Sequence, residues 1–299
     1  MNKEKVGVLF TIVSAMLWGV FPILVNAWSA HITPLFFAAI LSLFTALGTA
    51  LWMIIRKKTS ELRIKKAYFP LFMVSICIVF IPSVLFFIGT SKTSGINSSV
   101  LMLSEIIFTL IFTPFFGEKN TTEKYIGALG IMIGGALVLY KGEPILFNTG
   151  DILILLSTIT FPIGNFYSKR ALYSVSPSVV ITVRYALGGI LLLITALCVE
   201  PSFQLVQNFT SYVGFFFVMG FVLLSACKIT FYEGMKRLDI SKVISLEMTY
   251  PLFSLLVLYF AYNTPIMAHQ LFGIGIMIFG GYYAVKRKSE QHDNLKYQR

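Results

Sequence analysis

The chain has 299 residues, of which 57% are hydrophobic and only 12% are charged, and its formal net charge is +11. A soluble domain carries roughly twice this charged fraction, so the composition excludes a water-soluble globular protein as well as a disordered chain. Lipid must therefore be the solvent for most of the apolar surface.

Ten apolar segments are long enough to cross about 30 Å of hydrocarbon, which takes about 20 helical residues each. In chain order they are predicted near residues 6–28, 34–55, 68–89, 94–116, 123–141, 151–173, 178–199, 211–235, 239–262 and 266–286. Uninterrupted apolar runs of this length indicate helices, because helices satisfy their own backbone hydrogen bonds in lipid. The predicted fold class is an all-α integral membrane protein whose short connections make neighbouring helices antiparallel.

The positive charges between the segments predict the orientation. Of the 24 lysines and arginines, 20 lie in the termini and even-numbered loops, whereas the odd-numbered loops hold only Lys92 and Lys141. This is the positive-inside pattern, which arises from membrane insertion and not from a nucleic-acid partner. We therefore expect both termini to be cytoplasmic. Since no targeting tail for an internal membrane is evident, a bacterial inner (cytoplasmic) membrane is the expected location.

The chain also repeats itself. The aligned pairs, at offsets of 143 to 146 residues, are Gly7–Gly150, Ser14–Ser157, Trp18–Phe161, Pro34–Pro177, Phe87–Tyr232, Gly89–Gly234, Leu101–Leu246, Phe108–Phe253, Gly127–Gly273, Gly134–Gly280 and Gly135–Gly281. Convergent glycine-rich composition is the alternative, but the order of the pairs favours duplication. The predicted units are a five-helix repeat over 1–145, a second over 146–288, and a cytoplasmic tail over 289–299. Because five is odd, the second repeat enters the membrane from the opposite side.

Four charged side chains stand out because they lie well away from the ends of predicted helices: Glu105, Arg184, Lys228 and Glu247. Each costs about 2.5–3.5 kcal/mol at the bilayer centre, so such residues usually have a function. Arg184, Lys228 and Glu247 lie at a similar depth, which predicts a cation within about 4 Å of Glu247. Three interpretations stay open: mutual neutralisation; coupling, in which an anionic substrate group or a proton exchanges into the cluster; and, for Lys228 alone, snorkelling to the membrane interface.

Glu105 is nearly central in the fourth helix, and the sequence places no charged partner at its depth. The repeat aligns it with Tyr250, which is neutral at pH 7. Burial favours the neutral acid, while an incoming amine favours the carboxylate. We therefore predict that Glu105 exchanges a proton for a cationic group.

Polar and aromatic residues recur at helical spacing around these charges. The candidate substrate-binding residues are Glu105, Tyr250, Trp18, Phe161, Asn165 and Tyr232. Aromatic faces beside a carboxylate suit an amine through cation–π attraction, although packing is the alternative for each ring. His31 and His269 have no metal-ligand partner at helical spacing, and the three cysteines lie in apolar segments. No metal or other cofactor is therefore expected.

Short motifs follow one another in a recognisable order along the chain. They are Leu17-Trp18-Gly19, Gly89 before the hairpin 91–97, Glu105, Gly117-Glu118, Gly234-Met235-Lys236-Arg237-Leu238 and Tyr250-Pro251. In this order they resemble the drug/metabolite transporter superfamily, specifically its EamA-like branch. The resemblance implies a ten-helix carrier of two inverted repeats, with a central cavity formed by both. This chain departs from the pattern in having Glu105-Ile106 instead of a Glu-Pro pair, and Leu41 instead of an arginine in the second helix.

We therefore expect a secondary carrier for a small polar or zwitterionic metabolite, such as an amino acid or amine, that works by alternating access and couples to protons. The expected partners are the lipid bilayer, the metabolite and the proton, with a homodimer left open. A membrane-embedded enzyme and a non-transporting scaffold or receptor are the alternatives. An enzyme is not expected, because the sequence shows no nucleophile–base arrangement or interfacial acid cluster. A scaffold has no need of four membrane-buried charges.

Overall fold

A computed structural model describes residues 3–29, 32–90, 92–93, 95–140, 147–200 and 209–286, without the side chains of 22–29, 95–97, 209–211 and 285. Its helices, in chain order, are α1 Lys3–Ser29, α2 Pro34–Ile55, α3 Lys65–Thr90, α4 Ser98–Phe116, α5 Thr122–Leu139, α6 Thr149–Ala171, α7 Pro177–Val199, α8 Tyr212–Met235, α9 Ile240–Tyr262 and α10 Ala268–Lys286. Within the described residues, nine helical spans are long and apolar enough to cross a membrane, and α10 is the tenth predicted segment. The predicted tail and the 145/146 boundary lie outside the described residues, as do His31 and Lys141.

The pair α2 and α7 shows how the two repeats face each other. Both helices begin with a proline, Pro34 or Pro177, a residue whose fixed φ suits the first helical turn. Glu200, which follows α7, accepts hydrogen bonds from two N–H groups at the start of α2, at 2.8 and 2.9 Å. Glu61, which follows α2, accepts one from Ser176 at the start of α7, at 2.5 Å. The two helices therefore run antiparallel, and each is capped by the chain that leaves the other.

The glycines that align between the repeats are the points where helices of different repeats meet. A Cβ built on Gly234 in α8 would lie 3.2 Å from the carbonyl oxygen of Gly7 in α1. One built on Gly89 in α3 would lie 2.9 Å from the carbonyl oxygen of Gly150 in α6. The second contact is the first one repeated, since Gly7 aligns with Gly150 and Gly89 with Gly234. Close approach of helix backbones in lipid requires small residues, which explains the glycines.

The same symmetry relates α5 to α10. The glycine contacts of this pair are Gly127 with Gly280, Gly130 with Gly280, and Gly134 with Gly273. As the residue number rises along α5 it falls along α10, so the fifth and tenth helices are antiparallel. The structure thus confirms two inverted five-helix repeats in an all-α fold, each helix packing mainly against helices of the other repeat.

Four helices are irregular at positions that correspond between the repeats. Helical geometry lapses at Leu103–Ser104 in α4 and at Met248–Thr249 in α9, which align at an offset of 145. The segments Ser75–Phe80 of α3 and Phe217–Leu224 of α8 are π-helical and overlap under the same offset. Irregular backbone at membrane depth persists where it is buried in protein or lines a cavity. These four helices are therefore the place to look for a site.

The contact between α5 and α10 predicts that alanine is tolerated at Gly281 but not at the neighbouring Gly280. We expect Gly280→Ala to lower the free energy of unfolding by about 1–3 kcal/mol, because the added Cβ would lie 2.6 Å from the backbone nitrogen of Ile131. Gly281→Ala meets nothing within 4 Å and should be neutral or stabilise by up to about 1 kcal/mol through helix propensity. Thermal unfolding of both variants in detergent checks this, and equal effects would contradict the packing described here.

Candidate functional site

An ion pair joins α8 to α9 in the middle of the bundle. Lys228 Nζ lies 3.8 Å from Glu247 Oε1, within the 4 Å expected from the sequence. Ser14 on α1 donates a hydrogen bond to the same oxygen at 3.0 Å. The ammonium of Lys228 also lies 3.7 Å from the centre of a ring of Trp18, which is a close cation–π contact. One cation is thus shared between a carboxylate of the second repeat and an aromatic face of the first.

The carboxylate of Glu247 is not fully satisfied. Its side chain is buried, and Oε2 has no hydrogen-bond partner in the described part of the chain. Ser14 Oγ lies 3.0 Å from Glu247 Oε1 and also 3.0 Å from the Cys227 carbonyl oxygen, so its single hydroxyl proton cannot serve both acceptors fully. A buried acceptor without a donor costs about 1–3 kcal/mol, and more when it is charged. Glu247 Oε2 is therefore free to bind a proton or to accept a hydrogen bond from an N–H group.

Arg184 on α7 is bound by phenols and not by a carboxylate. Its Nη1 donates to the Tyr232 hydroxyl at 2.6 Å and its Nη2 to the Tyr185 hydroxyl at 2.9 Å. Its Cζ lies 4.5 Å from the centre of the Tyr185 ring and 5.0 Å from that of Tyr232. Nε is buried without a partner. Among the described residues no acid lies within 4 Å of this guanidinium, so its charge lacks a direct counter-ion.

Glu105 begins the second half of α4, directly after the interruption, and is 6% exposed. Asn165 Nδ2 on α6 donates to its Oε1 at 3.3 Å. The sequence predicts no charged partner at the depth of Glu105, and among the described residues Glu105 forms no ion pair; Lys228 and Glu247 act on it only at longer range. No cation lies within 4 Å of Glu105 in the part of the chain that the structure describes, so its carboxyl group also lacks a direct counter-ion.

One face of α6 connects Glu105 with Arg184. Asn165 and Ser168 are three residues apart and therefore neighbours on one side of this helix. Asn165 binds Glu105, while Ser168 shares a hydrogen bond of 2.9 Å with the Tyr232 hydroxyl that binds Arg184. Two buried charges of opposite sign are thus joined by one short row of polar side chains.

The remaining candidates fall in different places. Tyr250 begins the second half of α9, as Glu105 begins that of α4, and is 7% exposed. Phe161 is half-buried, and within the described residues no hydrogen bond or ring contact joins it to the cluster. Tyr185 and Ser168 were not predicted. Their signals are slight: Tyr185 follows Arg184 in sequence, and Ser168 lies one turn beyond Asn165.

A second polar layer closes one end of the bundle, where α8 turns into α9. We call this segment, Met235–Lys242, the α8–α9 turn. Four other elements bind it: Lys169 through the carbonyls of Met235 and Leu238, Glu118 through the N–H groups of Ile240 and Ser241, Lys124 through Asp239, and Glu4 through Lys242. Glu118 is 3% exposed and caps the N-terminus of α9, where the helix dipole favours a carboxylate.

Comparison with known proteins agrees with this architecture. The sequence profile of the EamA-like transporter family matches residues 5–140 and 148–285, so the chain belongs to the EamA-like transporter family. A solved crystal structure with 17% sequence identity superposes with a TM-score of 0.81, covering 94% of this chain and 96% of the other. At that identity the likeness concerns the fold alone.

Three relatives carry transporter names. The chain is 23% identical over 66% of its length to the uncharacterized transporter YyaM of Bacillus subtilis, and 22% identical over 92% to the uncharacterized transporter YvbV of the same organism. It is 26% identical over 67% of its length to an uncharacterized transporter of Methanothermobacter thermautotrophicus. The matches span 66%, 90% and 60% of YyaM, YvbV and the archaeal relative, respectively. The protein is a multi-pass membrane protein of a transporter family.

Proposed function

We propose that the chain is a secondary transporter for a small zwitterionic metabolite, an amino acid or a closely similar amine. The observation that supports this most is the pair of buried charges without direct counter-ions, Arg184 and Glu105, on the two ends of one polar row. A carboxylate of the solute fits Arg184, which offers planar donors, and an ammonium fits Glu105. An amino acid supplies both groups within one small molecule.

Burial of these charges is costly, so their retention supports a role in binding. An ionisable side chain at the bilayer centre costs about 2.5–3.5 kcal/mol on insertion scales. The ion pair of Lys228 with Glu247 is compensated locally, whereas Arg184 and Glu105 are not. A zwitterion would supply both counter-ions at once and leave the net charge of the site unchanged.

Alternating access with proton coupling is the mechanism that fits these features. Inverted repeats can rock about a site near the midplane, and α4 and α9 are interrupted directly before Glu105 and Tyr250. The α8–α9 turn is held by four elements, so an opening at that end must break several polar contacts. Glu247, with one unsatisfied oxygen beside Lys228, is the group that we assign to the coupling proton.

Uptake into liposomes tests the proposal. We expect purified protein to accelerate uptake of one or more zwitterionic amino acids, and to prefer them to the matched amine without the carboxylate and the matched acid without the amine. The same compounds should raise the unfolding temperature of the detergent-solubilised protein, because a ligand that binds only the folded state stabilises it. Uptake confined to compounds with a single charge would contradict the zwitterion assignment.

The orientation belongs to the same proposal and has its own test. We expect a membrane-impermeant thiol reagent added to intact cells to label a Thr264→Cys variant but not a Thr59→Cys variant, with Cys198 replaced by Ser in both. Thr264 and Thr59 are exposed and lie in connections of odd and even number, and the Lys/Arg asymmetry predicts that only even-numbered ones are cytoplasmic. Labelling of Thr59→Cys before the cells are permeabilised would show the orientation to be reversed.

A further inference from the structure

The connection that follows α2, taken together with the first two residues of α3 as residues 56–66, carries six cations and one carboxylate. We call it the basic loop; its cations, all exposed, are Arg56, Lys57, Lys58, Arg63, Lys65 and Lys66. Lys58 forms an ion pair of 2.8 Å with Glu61, and Arg56 lies 4.6 Å above the ring of Trp52. In the part of the chain that the structure describes, the other four cations have no protein partner.

Some cations elsewhere in even-numbered connections and at adjoining helix ends bind groups of the protein, whereas others, such as Lys119 and Lys236, are exposed but do not form a cluster within one loop. Lys124, Lys169, Arg237 and Lys242 all bind carboxylates or carbonyl groups of the protein. Membrane orientation requires only that positive charge stays on one side, and these residues already contribute it. Orientation alone therefore does not account for four unpaired cations within one loop of eleven residues. The inverted counterpart, residues 200–210, contains no lysine or arginine.

The basic loop is held in one conformation. It consists of two short 3₁₀ turns, Thr59–Arg63 and Lys65–Ala67, and Glu61 fixes it to the start of α7 through Ser176. Partial burial raises the pKa of Glu61, but hydrogen bonds from Lys58 and Ser176 outweigh this effect and hold the pKa below its ordinary value. A fixed array of cations binds an anion with less loss of conformational entropy than a mobile one.

The position of the array indicates its ligand. Lys57 has a φ of 54° where α2 ends, a left-handed conformation that glycine usually occupies in helix ends; here a cation occupies it. Two exposed aromatic side chains follow the loop directly, Tyr68 at 53% and Phe69 at 59% exposure, and exposed tyrosines at helix ends are typical of the headgroup level of a membrane. The cations therefore lie where lipid phosphates are.

We propose that the basic loop binds anionic phospholipid headgroups, with Lys57, Arg63, Lys65 and Lys66 as the phosphate-binding residues. Basic clusters beside membrane helices attract anionic lipid within about one Debye length, roughly 10 Å at moderate salt. The site is separate from the central cluster, so it does not depend on the proposed substrate.

Lipid titration of the purified protein tests the site without any transport assay. We expect phosphatidylglycerol, added to the detergent-solubilised full chain, to raise the unfolding temperature and to be retained in native mass spectrometry, while phosphatidylcholine has a smaller effect on both. The fourfold variant Lys57→Gln, Arg63→Gln, Lys65→Gln, Lys66→Gln should bind phosphatidylglycerol at least about tenfold more weakly. High salt should reduce the difference between the two lipids, since the attraction is screened.

A second fourfold variant removes the same charge at the same end of the helices. Lys3, Lys5, Lys119 and Lys236 are exposed, and their replacement by Gln should leave phosphatidylglycerol binding within about twofold of the parent. Equal losses in the two variants would overturn the proposal in favour of general surface charge. If inorganic phosphate or an acidic peptide raised the unfolding temperature as much as phosphatidylglycerol does, the proposal would be overturned in favour of a soluble ligand. If the loop variant is poorly folded, Lys65→Gln and Lys66→Gln alone should still weaken binding in the same direction.

Discussion

Transport by Glu105→Gln should fall at least about 30-fold. The change keeps the size of the side chain and a polar head for Asn165, but it removes the negative charge that we assign to the substrate amine. Removing one partner of a buried charge pair costs about 2–5 kcal/mol, and each 1.36 kcal/mol is tenfold in rate. Uptake of a zwitterion into liposomes measures the effect, with insertion and thermal stability checked in parallel.

The matched control is Glu233→Gln, which removes a carboxylate from the end of α8. Glu233 pairs with Arg237 four residues later, and both side chains are 28% exposed. Such a pair contributes about 0.3–0.5 kcal/mol, so transport by this variant should stay within about threefold of the parent. Parental uptake by Glu105→Gln, with unchanged dependence on pH, would reduce Glu105 to a structural residue and remove it from the proposed site.

Arg184→Gln is expected to separate zwitterions from simple amines. Loss of the guanidinium removes charge-assisted hydrogen bonds worth about 1.5–3 kcal/mol each, so uptake of a carboxylate-bearing substrate should fall by about 10- to 100-fold. A matched amine that lacks the carboxylate should lose much less, because it makes no use of Arg184. Competition assays with the two compounds measure the ratio directly.

Tyr185→Phe serves as the control for Arg184. It removes one hydroxyl that supports the guanidinium at 2.9 Å but leaves the charge, so the loss for the zwitterion should be about tenfold or less, as for one ordinary hydrogen bond. Equal losses for the zwitterion and the amine in Arg184→Gln would indicate that Arg184 holds α7 and α8 together and does not meet the substrate.

The helices were predictable because the bilayer imposes one length on every span. The repeat was predictable because close helix contacts allow only small residues, so Gly7, Gly89, Gly150 and Gly234 keep their places in both copies. The pairing of Lys228 with Glu247 followed in the same way from equal depth. These features depend on quantities that the sequence carries locally: length, residue size and position along a helix.

The partners of Arg184 and the surroundings of Glu105 were not predictable in this way. They depend on the rotation of each helix about its axis and on interruptions of only two residues, which leave no mark in hydropathy. Tyrosine also carries no distinctive pattern in a chain with 15% aromatic residues, so a phenol beside an arginine cannot be told from one that packs against lipid. The roles of single residues could therefore be assigned only from the three-dimensional structure.

The packing of the helices of one repeat against those of the other has a consequence for biosynthesis. Because α1 packs chiefly on α8 and α9, α2 on α7, and α5 on α10, the first five helices leave the ribosome before most of their eventual neighbours exist. Until the second repeat is inserted, Ser14 lacks its partner Glu247 and Glu105 lacks its partner Asn165, because both partners come later in the chain. Contacts this distant in sequence form slowly, and during that interval the nascent chain is most exposed to mispairing and to quality-control proteases.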